Sequence, residues 1–255
     1  MKTVVYDGSY EGFLTAVFEI YEYRFSEAVI QKKDQVTTLL FGDIHEVESD
    51  LKKSERVLKR LKEKISKNSL KQIFTTYLSE EKNIENILFR YIQYVMRSKD
   101  PVDNDYSNPD VLVVQQMSRK VHREKHRMEA FIRFQLTKDQ IYYAIIQPDY
   151  NVLPLISKHF EERYADQQWL IYDVARKYGY YYNKERVEEV QVNFTDGVNI
   201  AGNQHLIFDE KEELYQKLWQ QYFTSVNIAA RKNMKLHIQH MPKRYWKYLV
   251  EKKVT

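Results

Sequence analysis

Two histidines and a glutamate stand at regular spacing in a stretch with a helical pattern. His122, His126 and Glu129 occupy positions i, i+4 and i+7, which places them on one flank of a helix. Imidazole nitrogens and a carboxylate can bind zinc, manganese or iron, and the same groups can act as a general acid and base. A full HExxH motif is absent, so an ordinary charged surface is the alternative interpretation.

Three aspartates lie beside apolar segments and are further candidates for chemistry. Asp7 follows a short β-branched run, Asp149 follows Gln147-Pro148, and Asp173 follows Trp169-Leu-Ile-Tyr. Each carboxylate could bind a ligand or assist a reaction. Each could instead cap a helix or turn, which is the common use of aspartate at such positions.

The cations of the chain are clustered, although the net charge is only +4. Residues 50–67 carry eight Lys or Arg against three acids, residues 119–133 carry six against two, and residues 231–253 carry eight against one. Clustered cations of this kind bind nucleic-acid backbones by releasing condensed counterions. A solvated helix face is the alternative, above all for residues 50–67.

The stretch 110–129 is predicted as one long helix with an apolar side and a basic side. At about 100° per residue, Val114, Met117, Val121 and Met128 share one narrow arc. Lys125 falls near that arc, so we expect it to be paired or to extend outward. The opposite side, called the basic ridge below, carries Arg119, Lys120, Arg123, His126 and Arg127.

The stretch 241–249 alternates cations with aromatic residues. Lys243, Arg244 and Lys247 are interleaved with Tyr245, Trp246 and Tyr248. Bases stack on such rings while cations hold the phosphates, so Lys243, Arg244, Tyr245 and Lys247 join the basic ridge as predicted nucleic-acid contacts. Docking of a terminal helix on the core is the alternative, and we expect Trp246 to be buried and the three cations to be exposed.

Several function classes are excluded or disfavoured by what the chain lacks. It has no Cys and only six Gly, so thiolate zinc sites, iron–sulfur clusters and cysteine nucleophiles are excluded. No GxGxxG, GxxxxGK[ST] or GxSxG motif occurs, which disfavours dinucleotide enzymes, nucleotide-driven motors and standard serine hydrolases. We predict no cofactor. No apolar run resembles a signal peptide or membrane span, so we expect a cytoplasmic protein.

The hydrophobic periodicity predicts an α+β fold, with a helical N-terminal part and a C-terminal antiparallel or mixed sheet flanked by helices. A polar loop at 98–109 with two prolines is the expected hinge between a mainly helical subdomain, 1–98, and an α+β domain, 107–255. Besides 110–129, the expected helices are 10–24, 51–66, 69–78, 83–97, 152–164 and the chain from 209 onward. The expected strands are 3–6, 35–41, 131–136, 141–146, 169–174, 179–182 and 187–194.

Motifs spread over nearly the whole chain resemble a bacterial family described as probable DNA metabolism or putative DNA repair proteins. The stretches that carry the resemblance are 6–19 (YDGSYEGFLTAVFE), 77–80 (YLSE), 122–134 (HREKHRMEAFIRF), 147–156 (QPDYNVLPLI), 159–160 (HF), 168–173 (QWLIYD) and 241–246 (MPKRYW). The resemblance implies linkage to a radical SAM protein of DNA repair or modification, and related domains are fused to uracil-DNA-glycosylase-like domains. It implies a process and no catalytic residue.

Three hypotheses follow. The first is a DNA-binding accessory protein that acts with a radical SAM partner, because a chain without Cys cannot hold that partner's cluster. The second is a DNA-processing enzyme, either a glycosylase or a metal-dependent hydrolase, that uses His122, His126 and Glu129 with help from Asp149 or Asp173. The third is a protein-interaction module with a tyrosine-rich surface.

Overall fold

A computed structural model describes residues 1–35, 43–191, 238–249 and 252. The chain divides into two compact units, Met1–His122 and Arg123–Thr255. The division falls inside the long helix, whereas the predicted hinge is the loop 98–109. The expected domains 1–98 and 107–255 stay a prediction about which parts fold independently.

The first unit begins with a small parallel sheet. Strand β1 (Lys2–Tyr6) lies between β2 (Ala28–Lys32) and β3 (Asp43–Glu46), and both pairs are parallel. Helix α1 (Tyr10–Glu22) supplies the crossover from β1 to β2, as parallel strands require. Its apolar residues Phe13, Leu14 and Val17 are fully buried.

Helices complete the first unit. They are α2 (Leu51–Lys64), α3 (Lys67–Tyr77), α4 (Ile84–Arg97) and the first part of α5 (Pro109–Phe131). Side-chain oxygens of Ser9, Asp50 and Ser66 accept backbone N–H groups of the first turns of α1, α2 and α3, which satisfies donors that a helix leaves unpaired. Helices α1 and α2 begin at the predicted positions, and α3 begins at Lys67, two residues before the predicted start at 69.

The second unit contains a five-stranded mixed sheet. Its strands are β4 (Gln135–Leu136), β5 (Tyr142–Ile146), β6 (Trp169–Asp173), β7 (Tyr178–Tyr182) and β8 (Val187–Val190), and they lie in the order β4-β5-β6-β7-β8. Strands β5 and β6 are parallel and are joined by helix α6 (Leu153–Arg163), while the other neighbours are antiparallel. Trp169 of β6 is fully buried and stacks on Tyr182 of β7 at 5.4 Å between ring centroids.

The predicted α+β class is confirmed, with a C-terminal mixed sheet and helices before it. Strands β2 and β3 were missed. The expected strand 35–41 lies outside the described residues except for residue 35, and so does the end of the expected strand 187–194. Of the expected helical region from 209 onward, only 238–249 and 252 are described, and they include a 3₁₀ helix at Lys243–Tyr248. Within the described part of the chain, no helix combines the length and apolar character needed to span a bilayer.

Candidate nucleic-acid interface

Helix α5 has the two sides that its periodicity predicts. Val114, Val121 and Met128 are buried, and Met117 of the same predicted arc is half-buried. On the basic ridge, Arg119, Lys120, Arg123 and His126 are exposed, and Arg127 is half-buried. Lys125 is paired as expected, with its Nζ 2.8 Å from Oε1 of Glu129.

Glu124 on this helix was missed by the sequence analysis and lies at the centre of the site. It stands three residues after Val121 and four before Met128, so it belongs to the buried side. Its side chain is only 2% exposed. A carboxylate within an apolar helical arc is the signal that could have identified it, because a buried charge must be paired and hydrogen-bonded.

Four groups of the second unit surround the carboxylate of Glu124. The Tyr245 hydroxyl donates to Oε1 at 2.5 Å, and the Asp149 backbone N–H donates to the same oxygen at 3.0 Å. Arg244 donates to Oε2 at 3.0 Å, and an Arg127 nitrogen lies 3.5 Å from that oxygen. Burial and the neighbouring Glu124 raise the pKa of Tyr245, so its hydroxyl stays protonated and remains a donor.

The other side of the site is the loop that follows β5. Arg244 also pairs with Asp149 at 2.7 Å. Gln147 Oε1 accepts from Lys247 Nζ at 2.6 Å and from the Tyr248 hydroxyl at 2.8 Å. This loop therefore holds the short 3₁₀ helix Lys243–Tyr248, called the 243–248 segment below.

Asp173, at the carboxyl end of β6, positions the arginine that binds the loop after β5. It is fully buried and pairs with Arg176 at 2.9 Å. The Arg176 guanidinium donates to the carbonyls of Pro148 at 3.3 Å and Asp149 at 3.2 Å. Burial raises the pKa of Asp173 although Arg176 opposes that rise. Asp173 also accepts the backbone N–H groups of Ala175 and Arg176, so it caps a turn, the alternative use considered for it.

Within the 243–248 segment, Tyr245 is the buried residue, and the expectation that Trp246 takes this role is wrong. Tyr245 is 2% exposed, whereas Trp246 is half-buried and its indole N–H donates to the Met241 carbonyl at 3.0 Å. The exposure expected for Lys243, Arg244 and Lys247 is confirmed. Tyr245 therefore anchors the segment, and its predicted contact with nucleic acid stays a prediction.

The predicted His/Glu cluster is only partly assembled. His126 is 88% exposed, with Nδ1 3.8 Å from Oε2 of Glu129. His159, which the sequence analysis did not place here, has its Nδ1 4.0 Å from Oε1 of the same carboxylate. His122 is exposed. Across residues 1–35, 43–191, 238–249 and 252, no group of three or more His, Asp or Glu side chains is arranged to hold a metal ion.

Residues 82–251 match the domain of unknown function DUF4130. The chain belongs to the DUF4130 family. The match covers two thirds of the sequence and includes the described side chains that surround Glu124. The comparison with curated proteins found no match. The family description assigns no activity to DUF4130, so a functional proposal has to rest on the geometry of this site.

Proposed function

We propose that this DUF4130 protein binds DNA and serves as an accessory protein in DNA repair or modification. The observation that carries the proposal is the buried contact between Tyr245 and Glu124. It fixes the 243–248 segment so that cations and half-exposed rings face outward together. A surface of this kind offers positive charge to phosphates and flat apolar faces to bases.

The cations of the site divide into two groups by their partners. Arg244 lies against Glu124 and Asp149, and Arg127 lies near Glu124, so part of their charge is neutralised within the protein. Arg123, Lys243 and Lys247 are exposed and have no carboxylate partner among the residues that the structure describes. Like the exposed Arg119 and Lys120 of the basic ridge, these three cations can pair with phosphate without breaking an ion pair between described residues.

Aromatic rings lie directly beside the ammonium groups. Lys243 Nζ is 6.0 Å and Lys252 Nζ is 5.1 Å from the centroid of the Trp246 ring, and Lys247 Nζ is 4.8 Å from that of Tyr248. Cation–π contacts hold the long lysine side chains beside the rings. A base stacked on Trp246 would then bring its phosphate within reach of Lys243.

The accessory role beside a radical SAM partner rests on the sequence resemblance and on the absence of Cys from the chain. Radical SAM chemistry needs an iron–sulfur cluster, which is held by cysteine thiolates. In this proposal the partner catalyses the reaction, and the DUF4130 protein binds the DNA.

The proposal is tested by titrating duplex and single-stranded DNA at several salt concentrations and comparing two double variants of the full chain. Lys243→Gln with Lys247→Gln removes the proposed phosphate contacts. Lys138→Gln with Lys158→Gln removes the same charge from exposed positions on other elements, the turn between β4 and β5 and helix α6.

The first double variant should lower the slope of log affinity against log salt by about 0.9 per lost contact on duplex DNA, or about 1.8 in all. The control should leave the slope within about 0.5 of the wild-type value. Absence of binding even at low salt would overturn the proposal, and so would equal slopes for the two double variants.

A further inference from the structure

A polar cleft of about 890 Å³ lies within the first unit. Its walls come from the start of α3, the loop 101–106 and one side of α5, including Arg119 of the basic ridge. Of the eleven residues that line it, only Pro101 and Tyr106 contribute an apolar ring; the others are amides, serines, two aspartates and the arginine. A cleft of this size and polarity suits a small polar ligand better than an apolar one.

Internal hydrogen bonds occupy the two carboxylates of the cleft and shape its rim. Asp103 accepts the backbone N–H of Ser66 at 2.9 Å. Asp105 accepts the hydroxyls of Tyr94 and Ser107. These hydroxyls hold the pKa of Asp105 below its usual value, so its carboxylate stays ionised. Both of its oxygens already accept hydrogen bonds from within the protein. The acids therefore hold the loop against α3 and α4.

Tyr106 presents a fixed aromatic face to the cleft. Its side chain is among the exposed large apolar groups, at 42%. Its hydroxyl donates to Oδ1 of Asn104 at 3.0 Å and accepts from Nε2 of Gln115 at 2.5 Å. Because both contacts restrain the hydroxyl, the ring is preorganised, and a ligand that stacks on it loses little conformational entropy.

Three further polar side chains of the cleft have no hydrogen-bond or ion-pair partner among the described residues. They are the amides of Asn68 and Gln72 on α3 and the guanidinium of Arg119 on α5. An amide offers a donor and an acceptor side by side, the pattern that pairs with the edge of a nucleobase. A guanidinium binds phosphate through two parallel hydrogen bonds.

We propose that this cleft binds one unstacked nucleotide of a single-stranded nucleic acid. The base stacks on Tyr106, the amides of Asn68 and Gln72 pair with its edge, and Arg119 holds its phosphate. Proteins that bind single strands combine an aromatic platform with a cationic contact in this way. The inference rests on the proposed function, since it assigns to the same protein the form of nucleic acid that it binds.

The test uses the full chain and free dAMP, dCMP, dGMP and dTMP, with deoxyribose 5-phosphate as the probe that lacks a base. Binding is followed by chemical-shift changes of isotope-labelled protein. At least one nucleotide should bind more tightly than deoxyribose 5-phosphate. Tyr106→Ala should weaken nucleotide binding about 5- to 150-fold, the range measured for loss of one stacked base. Tyr106→Phe, which keeps the ring, should stay within about threefold of wild type.

Matched variants separate the cleft from general charge effects. Arg119→Gln should weaken binding of both the nucleotides and deoxyribose 5-phosphate, because both carry the phosphate. Lys71→Gln removes the same charge from an exposed position on α3 outside the cleft and should change neither. Gln72→Leu should weaken binding of the nucleotides but not of deoxyribose 5-phosphate. The leucine side chain has a similar volume but cannot form the proposed hydrogen bonds to the base.

The outcomes also separate this inference from the proposed function. The cleft assignment is overturned if no nucleotide binds better than deoxyribose 5-phosphate, if Tyr106→Ala has no effect, or if simple sugars bind in preference. DNA binding that depends on Lys243 and Lys247 would then still stand. The opposite pair of results is also possible: Tyr106→Ala abolishes nucleotide binding, while Lys243→Gln with Lys247→Gln leaves DNA binding unchanged. These results would support the cleft and overturn the 243–248 interface.

Discussion

Tyr245→Phe removes one hydroxyl from the centre of the candidate interface and leaves the ring in place. The hydroxyl donates to a Glu124 carboxylate that is almost fully buried, and hydrogen bonds to charged groups contribute about 1.5–3 kcal/mol. It also accepts from Arg244, but that guanidinium is 41% exposed, so water can replace this contact. Since Glu124 keeps its contacts with Arg244 and the Asp149 backbone N–H, we expect the variant to lower the free energy of unfolding by about 2 kcal/mol.

The change in melting temperature depends on how much of the chain unfolds together. Unfolding entropy is about 2.1 cal/mol/K per residue. If the 133 residues of Arg123–Thr255 unfold as one unit, a loss of about 2 kcal/mol lowers the melting temperature by about 7 °C. If all 255 residues unfold together, the decrease is about 4 °C.

The assay is urea denaturation followed by tryptophan fluorescence, with a matched control from the same segment. Tyr248→Phe removes a hydroxyl that donates to the exposed amide of Gln147, so it should cost less than about 0.5 kcal/mol. In a Glu124→Gln background, the effect of Tyr245→Phe should fall to about 1 kcal/mol, because the acceptor is then neutral. A cost for Tyr245→Phe that matches the control, or one unchanged by Glu124→Gln, would contradict a strong hydrogen bond from Tyr245 to a charged Glu124.

Two further predictions concern the turn between β1 and α1. Gly12→Ala in a helix usually stabilises by about 1 kcal/mol, but here the new Cβ would lie 2.2 Å from Oδ1 of Asp7 and 2.6 Å from Oγ of Ser49. We therefore expect it to destabilise by about 1–3 kcal/mol in urea denaturation, and a gain in stability would contradict the close packing. Burial raises the pKa of Asp7, but hydrogen bonds from Ser9 and Ser49 outweigh it and hold that pKa below the usual value. The stabilisation by Asp7 is thus present above its usual pKa and is lost as pH falls through the folded-state pKa. Asp7→Asn should flatten the decrease of the urea midpoint from about pH 5 to about pH 2, and an unchanged pH profile would rule this out.

The elements that the sequence predicted are those determined by neighbouring residues. The apolar period of α5 and the caps Ser9 and Asp50 are local signals, and the structure contains all three. Strands β2 and β3 become recognisable only when both pair with β1. Such pairing joins distant parts of the chain, which periodicity does not report.

The same distinction applies to the candidate site. Exposure of Lys243, Arg244 and Lys247 follows from their charge, so the sequence analysis predicted it. The anchor at Tyr245 depends on Glu124, which lies 121 positions earlier in the chain, so local patterns assigned the buried position to Trp246 instead. Asp149 likewise has partners outside its own loop: Glu124 lies 25 positions earlier in the chain, and Arg176 and Arg244 lie later.

The contact between Glu124 and Tyr245 also orders events during protein synthesis. A ribosome makes the N-terminal side first, so the helix that carries Glu124 emerges long before residue 245 does. Until then this carboxylate lacks the donors of the 243–248 segment, and burying it with the apolar side of its helix is unfavourable. Closing a loop of this length also has an entropic cost that only the finished contact offsets. Packing of Glu124 is therefore expected to be completed only after translation has passed the segment that binds it.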